Sequence, residues 1–255
     1  MDKGEAGAVR LHVIGASGTF PTPGRPAAGY LIEQGATRVW CDAGPGTFMG
    51  LPVDPDLVDA VVLSHQHPDH CADIFAAFHA WTYRPDPRRG VPLYAPEAVL
   101  ERISEFLEKG PGSELYETFE LHPVWTGDVV RFGEMEVTFQ EMDHSVPTVG
   151  MRWMASSRSL FYTADTGPGG SWRKAAQGVD VMLSEASLQG ERQDSDFLQH
   201  LTATEAGAIA REVGAQRLVL THIPPYFDPA RSVHEAEVAF DRPVVLAVPG
   251  AAFDV

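Results

Sequence analysis

Short apolar runs separated by turn residues recur along this chain, and each run has the length of a strand or of a short helix. Residues 9–14 predict a first strand. Residues 30–33 and 38–41 predict the arms of a hairpin turning at Gln34-Gly35, and residues 60–63 the next strand. Ile74, Phe78 and Trp81 recur at helical spacing, which predicts a helix opened by Asp69. A second helix is expected over 96–109, with Pro96 in its first position and Val99, Ile103, Phe106 and Leu107 as its buried stripe. Further strands are expected at 91–95, 119–124, 128–132, 135–142, 149–154, 160–163, 179–183, 217–220 and 244–248. Helices are expected near 172–177, 202–213 and 233–240. Residues 15–25 carry too much Gly and Pro for either regular element and read as a loop able to line a site.

Early hairpins followed by mixed strands and helices predict an α/β fold in which two sheets are flanked by helices. The polar residues with chemical potential collect at strand ends, which places the site along the shared edge of those sheets. The 255 residues suffice for one large core, and a single domain over 1–255 is expected. No internal repeat is visible. The charged, Gly-rich first eight residues do not resemble a signal peptide, and no apolar run reaches membrane-spanning length. A cytoplasmic protein without a membrane partner is expected. Cys41 and Cys71 form no CxxC pair, so neither a disulfide framework nor a thiolate metal site is indicated. The net charge of −16, with no Lys/Arg-rich run to offset it, disfavours long nucleic acids as substrates.

The densest chemistry is Ser64-His65-Gln66-His67-Pro68-Asp69-His70, directly after the strand expected at 60–63. In an extended segment His65 and His67 share a face, so both can reach one cation, and Pro68 keeps His67 extended. Asp69 and His70 lie beside them, near enough for a second cation. His144 follows the strand expected at 135–142, Asp165 the one at 160–163 and His222 the one at 217–220. The set divides into His65, His67 and His144 for one ion and Asp69, His70 and His222 for another, with the two oxygens of Asp165 able to bridge. Such donors without thiolates suit zinc first, and manganese or iron also fit. Two divalent cations about 3.5–4 Å apart can share a water and convert it to hydroxide at neutral pH. Asp69, Asp165 and that hydroxide would reduce the ions' charge to about +1, which welcomes a small anionic substrate.

His200 and Glu185 remain after the ligands are assigned. A His positioned by a carboxylate can protonate an alkoxide leaving group, and the bland alternative is that His200 merely precedes a helix. Asp69, His200 and Glu185 are the expected catalytic residues. His12, His79, His122 and His234 lack strand-end or acidic context and read as structural. Asp42-Ala43-Gly44-Pro45-Gly46 reads either as support for the metal ligands from behind or as a simple turn.

The motif His65-Gln66-His67-Pro68-Asp69-His70 resembles the HxHxDH signature of the metallo-β-lactamase superfamily, which implies an αββα four-layer sandwich and a two-metal hydrolase site. Residues 15–24, 42–47, 143–148, 163–167, 184–186, 200–202 and 221–223 are similar, in order, to the ribonuclease Z branch. That resemblance implies that Glu185 and His200 assist the leaving group, and that the protein is a homodimer. It also marks a departure, because the long tRNA-gripping arm of ribonuclease Z, between the third His motif and the bridging Asp, is missing. Residues 185–187, 200–207 and 220–225 look like actinobacterial cyclic-nucleotide phosphodiesterases of this group.

Three functions follow in order of expectation. The first is hydrolysis of a small phosphodiester, such as a cyclic nucleotide, by a metal-bridging hydroxide with His200 assisting, and with Tyr30, Trp81 or Phe197 available to stack on a base. The second is acyl hydrolysis of a lactone or thioester on the same metals, since fold does not fix substrate. The third is a non-enzymatic metal-binding sensor. Residues 189–199 are expected to act as a lid over the site.

Overall fold

The computed structural model describes residues 9–193 and 198–255. Its first half contains β1 (Arg10–Gly15), β2 (Gly29–Gln34), β3 (Thr37–Cys41) and β4 (Ala60–Val62). The helices α1 (Pro68–Cys71) and α2 (Asp73–Thr82) follow, then β5 (Val91–Ala95), α3 (Glu97–Leu107), α4 (Glu114–Thr118) and β6 (Phe119–Pro123). The second half contains β7 (Val129–Phe132), β8 (Met135–Glu141), β9 (Val149–Ala155), β10 (Arg158–Tyr162) and β11 (Val181–Glu185). It closes with α5 (Ala203–Glu212), β12 (Arg217–Thr221), α6 (Pro229–Phe240), β13 (Val244–Leu246) and β14 (Ala252–Asp254).

Among the described residues these strands form two seven-stranded sheets, ordered β14-β1-β2-β3-β4-β5-β6 and β13-β12-β11-β10-β9-β8-β7. In the first sheet the pairings from β14 to β3 are antiparallel and those from β3 to β6 parallel. In the second, the pairings from β7 to β10 are antiparallel and those from β10 to β13 parallel. The two sheets therefore repeat one pairing pattern, although their side chains do not repeat as a sequence. Three apolar layers follow from the alternation along these strands. Val13, Ile32, Val39 and Val62 meet Val137, Met151, Trp153 and Leu183 between the sheets. The opposite face of the first sheet packs Leu31, Trp40 and Val61 against Ile74, Phe78 and Ile103 of α2 and α3. The opposite face of the second packs Phe161, Met182 and Leu218 against Ile209 and Ala236 of α5 and α6. The result is the expected αββα sandwich.

Most expected elements are present, with shifted ends. His67 is the N-cap of α1 with extended backbone (φ −66°, ψ 141°), and the helix opens on Pro68 rather than on Asp69. Pro is favoured there because the first N–H of a helix has no partner within it. Pro96 is likewise a cap, and Glu97 begins α3. Val99, Leu100 and Ile103 form the buried stripe of that helix, whereas Phe106 is 69% exposed and stacks on Phe75 at 4.3 Å. Tyr30 and Trp81 lie in the core, 0% and 1% exposed, so neither can stack on a substrate. Phe197 lies outside the described residues, as do residues 194–197 of the expected lid. Among the described residues no helix is long and apolar enough to cross a membrane.

Candidate active site

The site residues follow the C-terminal ends of parallel strands: Asp42 after β3, Ser64 and His65 after β4, Asp165 after β10, Glu185 closing β11 and His222 after β12. The chain must turn sharply at these ends. Thr19, Asp42, Ala164 and His222 adopt φ of +66°, +58°, +49° and +55°, a region in which a side chain costs about 1–3 kcal/mol. Four strained residues, two following strands of each sheet, indicate that the surrounding structure holds a fixed geometry where the sheets meet at the site.

The seven expected ligands converge. His65 Nε2 and His144 Nε2 each lie 3.1 Å from His67 Nδ1, and 3.7 and 3.8 Å from Asp165 Oδ2. On the other side His222 Nε2 lies 3.0 Å from His70 Nε2 and 3.1 Å from Asp69 Oδ2. Asp165 Oδ1 completes that second group, 3.2 Å from His70 Nε2 and 3.4 Å from His222 Nε2. Donors about 2.0–2.1 Å from a tetrahedral ion stand roughly 3.3–3.4 Å apart, so both groups have the spacing that zinc requires. Asp165 Oδ1 is buried and makes no hydrogen bond, although two imidazoles surround it. A buried carboxylate oxygen without a partner is costly, and a cation between those donors satisfies it. The residues present fit a pair of divalent ions.

Four of the five ligand imidazoles are oriented from behind, which fixes the nitrogen facing the centre. His70 Nδ1 donates to Asp42 Oδ2 at 2.8 Å, and the same carboxylate accepts from Ser64 N–H, Ser64 Oγ and Tyr162 Oη. Asp42 thus backs the ligands and is more than a turn residue. His144 Nδ1 donates to the Gln199 carbonyl at 3.1 Å, His222 Nδ1 lies 2.8 Å from Ser187 Oγ, and His65 Nδ1 lies 3.0 Å from Ser64 Oγ. Burial lowers the proton affinity of His65, His67 and His144, which keeps them neutral and ready to ligate. Burial opposes the charge of Asp165 as well, but His222 and His70 outweigh it and hold the carboxyl ionised. For His70 burial also disfavours the proton, and the ring of Asp165, Asp42 and Asp69 outweighs it upward.

His200 and Glu185 form a separate pair at the rim. His200 Nδ1 lies 3.0 Å from Glu185 Oε1, and a ring nitrogen of His200 comes within 4.8 Å of ligand atoms of Asp165 and His222. Burial lowers the His200 pKa, yet the charge and hydrogen bond of Glu185 raise it overall to about 9. Glu185 is itself fixed by Thr166 N–H at 2.7 Å and by Ser187 Oγ–H at 2.6 Å. His12 pairs with Glu33, His79 with the Phe75 carbonyl and His122 with Glu120, all away from this edge.

Residues 37–223 match the family model described as a beta-lactamase superfamily domain. The chain belongs to the metallo-β-lactamase superfamily. Within it, the chain is 34% identical over 254 residues to an uncharacterized protein of Mycobacterium tuberculosis, covering 97% of this chain and 92% of the relative. It is 30% identical to ribonuclease Z of Methanopyrus kandleri, covering 92% and 94%. The crystal structure of the metallo-β-lactamase fold protein YhfI from Bacillus subtilis superposes with a TM-score of 0.87 at 27% identity, covering 97% of this chain and all of that one. This superfamily member is a metal-dependent hydrolase of the ribonuclease Z-like branch, and the segment between its His144 and Asp165 holds only the β9–β10 hairpin where an arm would stand.

Sequence reasoning offered Asp42 as support for the ligands from behind but did not find the other residues that orient them. Ser64 and Ser187 each stand within two positions of a residue singled out there, which was the available signal. Gln199, next to His200, had the same signal, and Tyr162 had none, because only the fold brings it to the cluster.

Proposed function

We propose that this protein is a binuclear hydrolase of small phosphodiesters, with cyclic nucleotides the foremost substrates and zinc the metal, for which manganese and iron are the alternatives. His65, His67 and His144 would hold one ion and Asp69, His70 and His222 the other, with one oxygen of Asp165 on each. Such a pair of ions supplies an activated water at neutral pH and positive charge for the substrate's oxygens. The chain's own part is to place and protonate. Asp69 accepts the Thr19 N–H at 2.8 Å, which ties the loop after β1 to the cluster. His200, kept protonated by Glu185, donates its proton to the departing alkoxide. An alkoxide is a poor leaving group and needs that acid.

The observation that carries the reading is the His200–Glu185 contact of 3.0 Å beside Asp165 and His222. Substrate size follows from the short hairpin between His144 and Asp165 and from the net charge of −16, both of which disfavour a long polyanion. The test is turnover of 3′,5′- and 2′,3′-cyclic nucleotides and of a chromogenic phosphodiester by metal-loaded protein. Hydrolysis of at least one nucleotide is expected. Activity on a lactone or thioester with none on any phosphodiester would overturn the reading.

A further inference from the structure

Two exposed aromatic rings are carried on loops joined to the metal-ligand cluster. Phe20 is 43% exposed and directly follows Thr19, whose N–H donates to Asp69 Oδ2 at 2.8 Å. Tyr226 is 66% exposed and lies four residues after His222. The loops are joined to one another. Ser17 pairs with Ile223 as an isolated bridge, Gly18 N–H donates to the Ile223 carbonyl at 3.3 Å, and Ser17 Oγ–H donates to the Phe20 carbonyl at 2.9 Å. Even Gly18 is constrained, since a Cβ there would come within 2.5 Å of the His222 carbonyl oxygen. The two rings are 6.4 Å apart between centroids with planes tilted by 31°.

Large exposed apolar side chains are ordinary when scattered singly. These two are paired, and each follows closely in the chain on a residue at the cluster: Phe20 on Thr19, which is bonded to Asp69, and Tyr226 on His222, the two ligands that meet at 3.1 Å in the second group. We propose that Phe20 and Tyr226 form the platform on which a planar heteroaromatic ring of the substrate stacks while its phosphodiester sits at the cluster. This inference rests on the phosphodiesterase reading and narrows it to nucleotides. It also takes the place of Tyr30 and Trp81, which the core has buried. Stacking tolerates any base because every base has a π-face, so the platform favours nucleotides as a class without selecting among them.

The test compares adenosine 3′,5′-cyclic phosphate with ribose 3′,5′-cyclic phosphate lacking the base, on metal-loaded wild type, Phe20→Ala, Tyr226→Ala and the double variant. Each single change should raise KM for the nucleotide by roughly 5- to 150-fold, the range of one base–aromatic stack, and leave kcat/KM for the baseless diester within about twofold. Phe20→Trp and Tyr226→Phe should retain nucleotide KM. Direct titration of AMP against ribose 5-phosphate provides a readout independent of turnover, in which wild type should prefer AMP and the double variant should lose that preference. Equal affinity of wild type and double variant for AMP, or equal losses on both diesters, would overturn the platform. Failure of wild type to hydrolyse either diester, with its preference for AMP intact, would instead count against the phosphodiesterase reading alone.

Discussion

Asp42 Oδ2 accepts a hydrogen bond from His70 Nδ1 at 2.8 Å, with both side chains fully buried. The same carboxylate takes Ser64 N–H at 2.7 Å and Tyr162 Oη–H at 2.7 Å, so one residue after β3 joins the two sheets and aims a ligand. Asp42→Ala would remove the acceptor from these three donors and from Ser64 Oγ–H, all in the core. Breaking a buried charged pair costs about 3–5 kcal/mol, so the denaturant midpoint should drop by the corresponding amount with an unchanged m-value. Metal content should drop with it. A variant of wild-type stability would show that this network does not hold the edge together.

His200→Ala should slow cleavage of an alkoxide-releasing phosphodiester by about 10²- to 10⁴-fold, the usual contribution of a general acid. A diester with a good leaving group, such as p-nitrophenolate, should lose much less. Steady-state rates on the two substrates test this, and equal losses would place His200 in positioning rather than in proton transfer.

Glu185 raises the His200 pKa to about 9 against the effect of burial. An acid with that pKa is protonated below it, so kcat should be sustained through neutral pH and fall as pH rises through about 9. Glu185→Gln removes the charge that favours the proton, so the falling limb should move toward the ordinary imidazole value of about 6.5. Superimposable pH–rate profiles for wild type and variant would refute the assignment.

Gly44 packs against the cluster's backbone. A Cβ there would lie 2.1 Å from the Asp69 carbonyl oxygen and 2.7 Å from that of Ala28. Gly44→Ala should therefore displace the segment carrying Asp69 and His70, costing about 1–3 kcal/mol in stability and weakening metal retention against a chelator. Thermal unfolding with and without added zinc reads both effects, since an ion bound only to the native state raises its stability.

The fold was legible where one signal sufficed. Alternating apolar residues located most strands, and Pro68 behind two alternate His located the turn that opens α1. The limits were equally physical. The short α4 and β14 carry too few apolar positions for a period to show, and Phe106 has the spacing of a core residue but nothing above it to bury it. The repeated pairing pattern of the two sheets lies in the backbone and leaves no repeat in the side chains. For the site, donor chemistry identified which side chains could meet, but Ser187, Tyr162 and the Gln199 carbonyl reach the cluster only through long-range folding. Aromatic residues were the least legible, because Tyr30 and Phe20 look alike in a sequence and differ only in burial.

The proposed site has seven side chains that would hold two divalent cations, with Asp165 shared between them. It is tested most directly by elemental analysis of wild-type and Asp165→Ala protein after zinc loading and removal of free metal. Two equivalents per chain in the wild type, falling to one or fewer in the variant, are predicted. Well under two equivalents in the wild type, or two retained without Asp165, would contradict the account.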